Sequence, residues 1–270
     1  MCWESQLTYI IGIDECRPDA LIASDTPNID LLIEAGVFSF HSQTSEITVS
    51  GPSWSSMLSG VWHTKHGVKD NSFSGARFEL FPHFFQRIKE VKSSTFTASL
   101  VHWRPIHTEI VTHADVSRAY KSDDQVAIGA VRLLSQSEPD VLFLHFDDVD
   151  HAGHEYDYSL NSPKYIEAIE VVDTRIGVLL DRLHIRKTFD HEDWLIVITT
   201  DHGGSGFTHG LNIPDHRETF LILSGLSADT GQIKPAPYIV DVAPTVFVHM
   251  GLEIDPAWGW DGAPICIGYE

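Results

Sequence analysis

Trp194-Leu195-Ile196-Val197-Ile198-Thr199-Thr200-Asp201-His202-Gly203-Gly204 is an apolar run that stops at an acidic residue and an imidazole, followed by two glycines. Being apolar at consecutive rather than alternate positions, it reads as a strand buried on both faces, the kind found inside parallel α/β sheets. In such sheets the functional side chains gather beyond the carboxyl ends of the strands. Asp201 and His202 therefore arrive together at a sheet edge, as a pair able to hold a metal ion. Tyr9 to Asp14 and Asp140 to Asp150 have the same form, and so, more loosely, does the Ser-rich run that carries Ser50.

The rest of the chain alternates strand and helix signals around these points. Leu7 to Ile13 reads as a central strand with Asp14 at its exit. Pro27 opens a helix that Gly36 closes, Val37 to His41 is a second strand, and Ser50 to Gly60 is a turn followed by a helix start. Phe81 to Val91 is amphipathic, and Thr95 to Val101 is rich in strand formers. Asp123 to Gln136 has helical spacing and leads into the strand Val141 to Phe146. Pro163 opens a long helix through Ile169, Val172, Ile176 and Leu180, followed by the Trp194 strand, another at Phe220 to Leu223, and a last helix at Asp241 to His249. This alternation predicts a three-layer, doubly wound α/β fold with a mostly parallel central sheet and helices on both faces. No repeat, low-complexity stretch or linker interrupts it, so residues 1–270 are expected to form a single domain.

Composition narrows the function classes. The chain has 270 residues, 43% of them hydrophobic, enough for a substantial core. Its 38 acidic and 18 basic residues give a formal charge of −20, which repels polyanions and leaves no basic stripe for a nucleic-acid duplex or an acidic membrane. Any phosphate must be bound locally, for instance by metal ions. Cys2, Cys16 and Cys266 have no paired spacing, which suggests neither a disulfide framework nor a thiolate zinc site. The first strand begins too early to leave room for a signal peptide, and no apolar run approaches the roughly 20 residues of a membrane span. A cytoplasmic protein is the expectation, with its oligomeric state left open. Of 16 histidines, those beside Asp at strand ends carry weight.

Asp14, Asp150, Asp201 and His202 all stand at strand exits. Asp150 and His154 are four apart, so one helical turn places both on one face, a spacing suited to a shared metal. Carboxylate with imidazole favours zinc or manganese over calcium. Asp14, the Ser50 segment, Asp150 with His154, and Asp201-His202-Gly203 followed by His209 resemble the motif series of the alkaline phosphatase superfamily, most closely its nucleotide pyrophosphatase/phosphodiesterase branch. The likeness runs from about Ile10 to Gly262 and includes Val240-Asp241-Val242-Ala243-Pro244-Thr245.

This resemblance implies two divalent metal ions, zinc in first place and manganese as the alternative. One would be held by Asp14, Asp201, His202 and the oxygen of a Ser50 nucleophile, the other by Asp150, His154 and His209, with His216 as the competitor for the last position. Asn71 would bind the transferring phosphoryl oxygen. The implied activity is two-metal hydrolysis of a small phosphate ester, monoester or diester, through a phosphoseryl intermediate. The alternatives are a sulfatase or phosphonate-type hydrolase, a phosphoryl-transferring mutase, and an inert metal-binding module. Trp54 replaces the Arg of the sulfatase signature, which places that activity lower. The chain also departs from larger phosphodiesterases, because only six residues separate His202 from His209 and no cap can be inserted there. Glu15 adds a carboxylate beside a metal ligand, Asp147 and Asp148 add two more, and Trp54, Phe73, Trp103 and Tyr156 are candidates for an apolar platform under the leaving group.

Overall fold

Side chains alternate along the first strand, β1 (Ser5–Ile13): Leu7, Tyr9, Ile11 and Ile13 enter one apolar core and Ile10 the other. A strand covered on both faces belongs in the interior of a sheet. In the computed structural model, which describes residues 5–226 and 228–265 without the side chain of residue 190, β1 is the fourth of eight strands. The others are β2 (Gly36–Gln43), β3 (Thr97–Val101), β4 (Val116–Ala119), β5 (Val141–Phe146), β6 (Glu192–Thr199), β7 (Glu218–Gly225) and β8 (Gly231–Gln232). Their order is β4-β3-β5-β1-β6-β7-β2-β8. Every neighbouring pair is parallel except those made by β7, which runs against both β6 and β2.

Ten α-helices are found among the described residues: α1 (Pro18–Ala23), α2 (Pro27–Glu34), α3 (Ser50–Ser59), α4 (His63–His66), α5 (Phe84–Val91), α6 (Asp123–Gln136), α7 (Asp148–Tyr156), α8 (Pro163–His184), α9 (Pro214–Arg217) and α10 (Val242–His249). Helices α1, α2, α6 and α8 cover one face of the sheet, and α3, α5 and α10 the other. These are the three layers the alternation predicts. Helix α6 and strand β5 have the expected bounds, whereas α1, β4 and β8 were not anticipated.

Buried carboxylates fix how the helices start. Helix α2 opens on Pro27, and its orphan amides at Asn28 and Ile29 donate to Asp173 of α8 at 3.3 and 2.8 Å. Asp123, fully buried in the first turn of α6, does the same for α7: its two oxygens accept from the amides of Asp147 and Asp148 at 2.8 and 3.0 Å. The turn from β5 into α7 is held there. Cys16 is a buried free thiol, and Cys2 and Cys266 lie outside the described residues. Among the described residues no helix is long and apolar enough to cross a membrane.

Candidate metal centre

Asp14 leaves β1, Asp201 and His202 leave β6, and Asp150 and His154 lie one turn apart on α7, which follows β5. Since β5, β1 and β6 are adjacent and parallel, their carboxyl ends bring these residues to one edge. The segment between β6 and β7 adds His209, and the N-terminus of α3 adds Ser50.

The donor atoms fall into two adjoining sets. Asp14, Asp201 and His202 offer atoms within 4.8 Å of one another, and all three are buried. Ser50 Oγ lies 3.4 Å from His202 Nε2. The second set is Glu15, Asp150, His154 and His209. The rings of His202 and His209, one from each set, stand 4.7 Å apart.

Whether these residues fit cations can be judged from their unmet bonds. Asp14 Oδ1, Asp201 Oδ2 and Glu15 Oε1 are buried carboxylate oxygens with no hydrogen-bond partner. An isolated buried carboxylate is costly unless something positive reaches it. The imidazoles agree: His202, His154 and His209 each place Nδ1 on a backbone carbonyl, of Gly203, Phe207 and Thr48, at 3.0, 3.0 and 3.1 Å. A carbonyl only accepts, so Nδ1 carries the proton and the Nε2 lone pair is left for a ligand. The mixed oxygen and nitrogen set suits zinc or manganese.

Charge is strained here without cations. Burial first, then the carboxylates of Asp201 and Asp150, raises Asp14 well above the usual range; burial likewise raises Asp201 and Glu15. Burial and Asp14 push Asp147 up to about 8. Burial also raises Asp150, but bonds with Glu15 and Tyr158 and the charge of His154 outweigh it, and its net shift is downward. Burial and neighbouring His202 lower His209 to about 4.

Supporting residues complete the picture. Asp14 Oδ2 accepts from Trp54 Nε1 and His145 Nε2, each at 2.9 Å. Trp54 is fully buried, in a slot left open because residue 12 is glycine. It holds Asp14 and, buried, cannot serve as a leaving-group platform, which corrects that expectation; of the other three, Phe73 is also buried, against Trp103, and only Tyr156 is well exposed. The Tyr158 hydroxyl lies 2.5 Å from Glu15 Oε2 and 2.8 Å from Asp150 Oδ1. Asn71 is exposed, and its Oδ1 accepts from the amide of Gly51, the residue after Ser50, at 2.7 Å. His216 has both ring nitrogens engaged, by the Leu211 amide and Ser205 Oγ, and stands apart from both donor sets. Sequence reasoning did not find Tyr158 or His145. The only sequence signal for Tyr158 is Gly153, where a Cβ would overlap the tyrosine ring.

Residues 8–79 and 75–221 match the family model for type I phosphodiesterase / nucleotide pyrophosphatase. Bis(5'-adenosyl)-triphosphatase ENPP4 of Homo sapiens is 23% identical over 215 residues, 72% of this chain and 46% of its own. A 2,3-bisphosphoglycerate-independent phosphoglycerate mutase of Haloquadratum walsbyi is 26% identical over 155 residues, 54% of this chain and 29% of its own. The chain thus spans less than half the length of these curated relatives. Murine ectonucleotide pyrophosphatase / phosphodiesterase 5 superposes with a TM-score of 0.76 at 13% identity, covering 93% of this chain and 96% of that one, which is likeness of fold.

Proposed function

The chain belongs to the type I phosphodiesterase / nucleotide pyrophosphatase family, and from that premise we propose that it hydrolyses small phosphate esters with Ser50 as nucleophile. The observation that carries the reading is the pair of adjoining donor sets, each with a buried orphan carboxylate oxygen and imidazoles already in the ligand tautomer. Two divalent ions, zinc or manganese, would be held by Asp14, Asp201, His202 and Ser50 and by Asp150, His154 and His209, with Glu15 beside the second. When bound, they would supply the positive charge that lowers the proton affinity of the nucleophile and offsets the phosphoryl oxygens.

The chain's own residues account for the remaining steps. Ser50 is the first residue of α3, where the positive end of the helix dipole favours an anion. Its Oγ forms a bond to phosphorus as the bond to the leaving oxygen breaks, giving a phosphoseryl intermediate. Asn71 Nδ2 donates to a non-bridging oxygen, its carbonyl end fixed by the Gly51 amide. Water entering beside Asp150 and His154 then bonds to phosphorus as the Ser50–phosphorus bond breaks, returning a proton to Ser50 Oγ and freeing phosphate from a monoester or a phosphomonoester from a diester. Asp14 is held by Trp54 and His145 throughout, so the site needs little reorganisation. We place this single domain, residues 1–270, in the cytoplasm, on the basis of its unpaired cysteine pattern.

The test is hydrolysis of p-nitrophenyl phosphate, bis-p-nitrophenyl phosphate and p-nitrophenyl sulfate before and after chelation. Phosphate ester turnover that chelation abolishes and zinc or manganese restores is expected, and the ratio of the first two rates assigns monoester or diester. Protein that binds metal yet cleaves none of the three is the inert module, and preference for the sulfate ester replaces the reading with a sulfatase.

A further inference from the structure

Helix α7 carries the spacing Asp-x-x-x-His twice, as Asp150 with His154 and as Asp147 with His151. The second pair is offset by three residues, so it occupies the neighbouring strip of the same helix. The first pair faces Glu15 and His209; the other meets His102, just past the end of β3. In the sheet order β3 lies beyond β5 from β1, so His102 comes from the opposite side of β5 to Asp14 and Asp201, while Asp147, at the exit of β5, also has a donor atom within 4.8 Å of Asp14.

We propose that His102, Asp147 and His151 form a further divalent transition-metal site, bordering the catalytic centre. One donor atom from each lies within 4.8 Å of the others. His151 Nε2 is 3.4 Å from Asp147 Oδ2, close to the ~3.3 Å that separates ligand atoms around a tetrahedral zinc with bonds of about 2.0–2.1 Å. The His102 and His151 rings are nearly perpendicular, with centroids 5.3 Å apart.

Two observations point to a ligand beyond this proximity. Asp147 is 5% exposed, and among the described residues its carboxylate accepts no hydrogen bond, its one ion-pair partner being His151. His102 Nδ1 is 2.8 Å from Asp123 Oδ1, and Asp123 is already committed to two backbone amides and so acts as a fixed acceptor. Nδ1 therefore donates, and Nε2 is the nitrogen left for an ion that displaces any proton there, the carboxylate-to-imidazole arrangement that orients metal-binding histidines. Two imidazoles and one carboxylate select zinc or a neighbouring transition metal over calcium or magnesium. His151 is exposed, which leaves a path for the ion and room for water at the remaining position.

The experiment is an ion count, so it does not depend on the hydrolase reading. Chelator-stripped protein is reloaded with zinc, desalted, and weighed by native mass spectrometry, as wild type, His151→Ala, His102→Ala and Asp201→Ala. His151 lies at the surface, so its loss leaves the fold intact, which circular dichroism checks. Each of the first two variants should carry one zinc fewer per chain than wild type. A His151→Ala and Asp201→Ala double variant should lose more than either alone. Wild type and His151→Ala holding the same number of ions, whatever that number is, would overturn the proposal.

Discussion

Removing one hydroxyl, by Tyr158→Phe, tests whether the Glu15 side of the centre holds an ion. The phenol is 1% exposed, and its oxygen lies between Glu15 Oε2 at 2.5 Å and Asp150 Oδ1 at 2.8 Å. In the metal-free protein Glu15 is raised well above the usual carboxylate range, by burial and by its bond with Asp150, so it retains a proton it can share with that neighbour. The variant should then lose little stability without metal, because the ring stays and no cavity opens. With an ion bound, both carboxylates must be ionised, and the phenol is the donor that holds them in place. A hydrogen bond to a charged group contributes about 1.5–3 kcal/mol, and at about 1.4 kcal/mol per decade the loss weakens the ion roughly 10–100-fold, the range seen for outer-shell partners of metal ligands. Competition against a fluorescent zinc chelator reads both catalytic affinities at once. Only one of the two catalytic affinities should move, since the hydroxyl does not touch Asp14, Asp201 or His202. Affinities unchanged to within about 2-fold, or both lowered alike, would refute the assignment of Glu15 and Asp150 to one ion.

Ser50→Ala should lower turnover of p-nitrophenyl esters by about 10³-fold or more while elemental analysis finds nearly unchanged zinc; retained activity removes Ser50 from the mechanism. Gly12→Ala drives a Cβ into the Trp54 indole and should cost about 1–3 kcal/mol as overpacking, seen as a thermal midpoint lowered by roughly 2–4 °C per kcal/mol. An unchanged midpoint would mean that the Trp54 slot is not tight. The pH dependence should differ in sign with and without metal. Asp14, Asp201 and Glu15 have raised values in the folded chain, so their contribution to metal-free stability is complete below their ordinary values of 3.8 and 4.5 and is lost as pH rises through the raised ones. Zinc must displace those same protons, so its stabilisation grows over that window. Scanning calorimetry of chelated and zinc-loaded protein should give curves that diverge as pH rises, and parallel curves would show that these carboxyl groups are not the ligands.

The strand exits were legible because the strands that make them are buried on both faces. An unbroken apolar run such as Val141 to Phe146 or Trp194 to Ile198 has a visible end, and the residue after it is at the sheet edge. Edge strands carry no such mark: β4 is four residues long and mostly half-buried, β8 two residues long and exposed, both too short for periodicity to register. The reversed direction of β7 was equally hidden, since an apolar run reads the same either way. At the site, what was missed depends on contacts between residues far apart in sequence. Glu15 was read as an added carboxylate, but its insertion between Asp150 and His209 requires a left-handed backbone at φ 52° and a glycine at 204, where a Cβ would overlap its Oε1. Sequence alone offers Trp54 only as a candidate platform residue, since nothing local shows that Gly12, 42 positions away, has left room for its ring. The choice between His209 and His216 turns on which nitrogens other groups already occupy, a fact that exists only in three dimensions.

The charge of the chain and the charge of the site lead to the same order of events. At −20 overall, with Asp14, Asp201, Asp150, Glu15 and Asp147 converging at one sheet edge, the metal-free protein repels any phosphate. The positive groups nearby are already spoken for: Arg17 pairs with Asp19, and Arg175 with Asp124 and Asp148. No lysine or arginine is among the main influences on the charge of Asp14, Glu15 and Asp201, which distinguishes this centre from sites that hold phosphate with arginine forks. Under the proposed mechanism, substrate affinity is therefore borrowed from the ions, and occupancy of the two donor sets must precede binding. The missing cap has the opposite effect on selectivity. With six residues between His202 and His209, and Phe207 and Leu211 beside His209 exposed, a leaving group would under that mechanism meet a shallow apolar rim in place of an enclosed pocket. Recognition then resides in the phosphoryl group and its ions, and a broad range of leaving groups is the physical consequence.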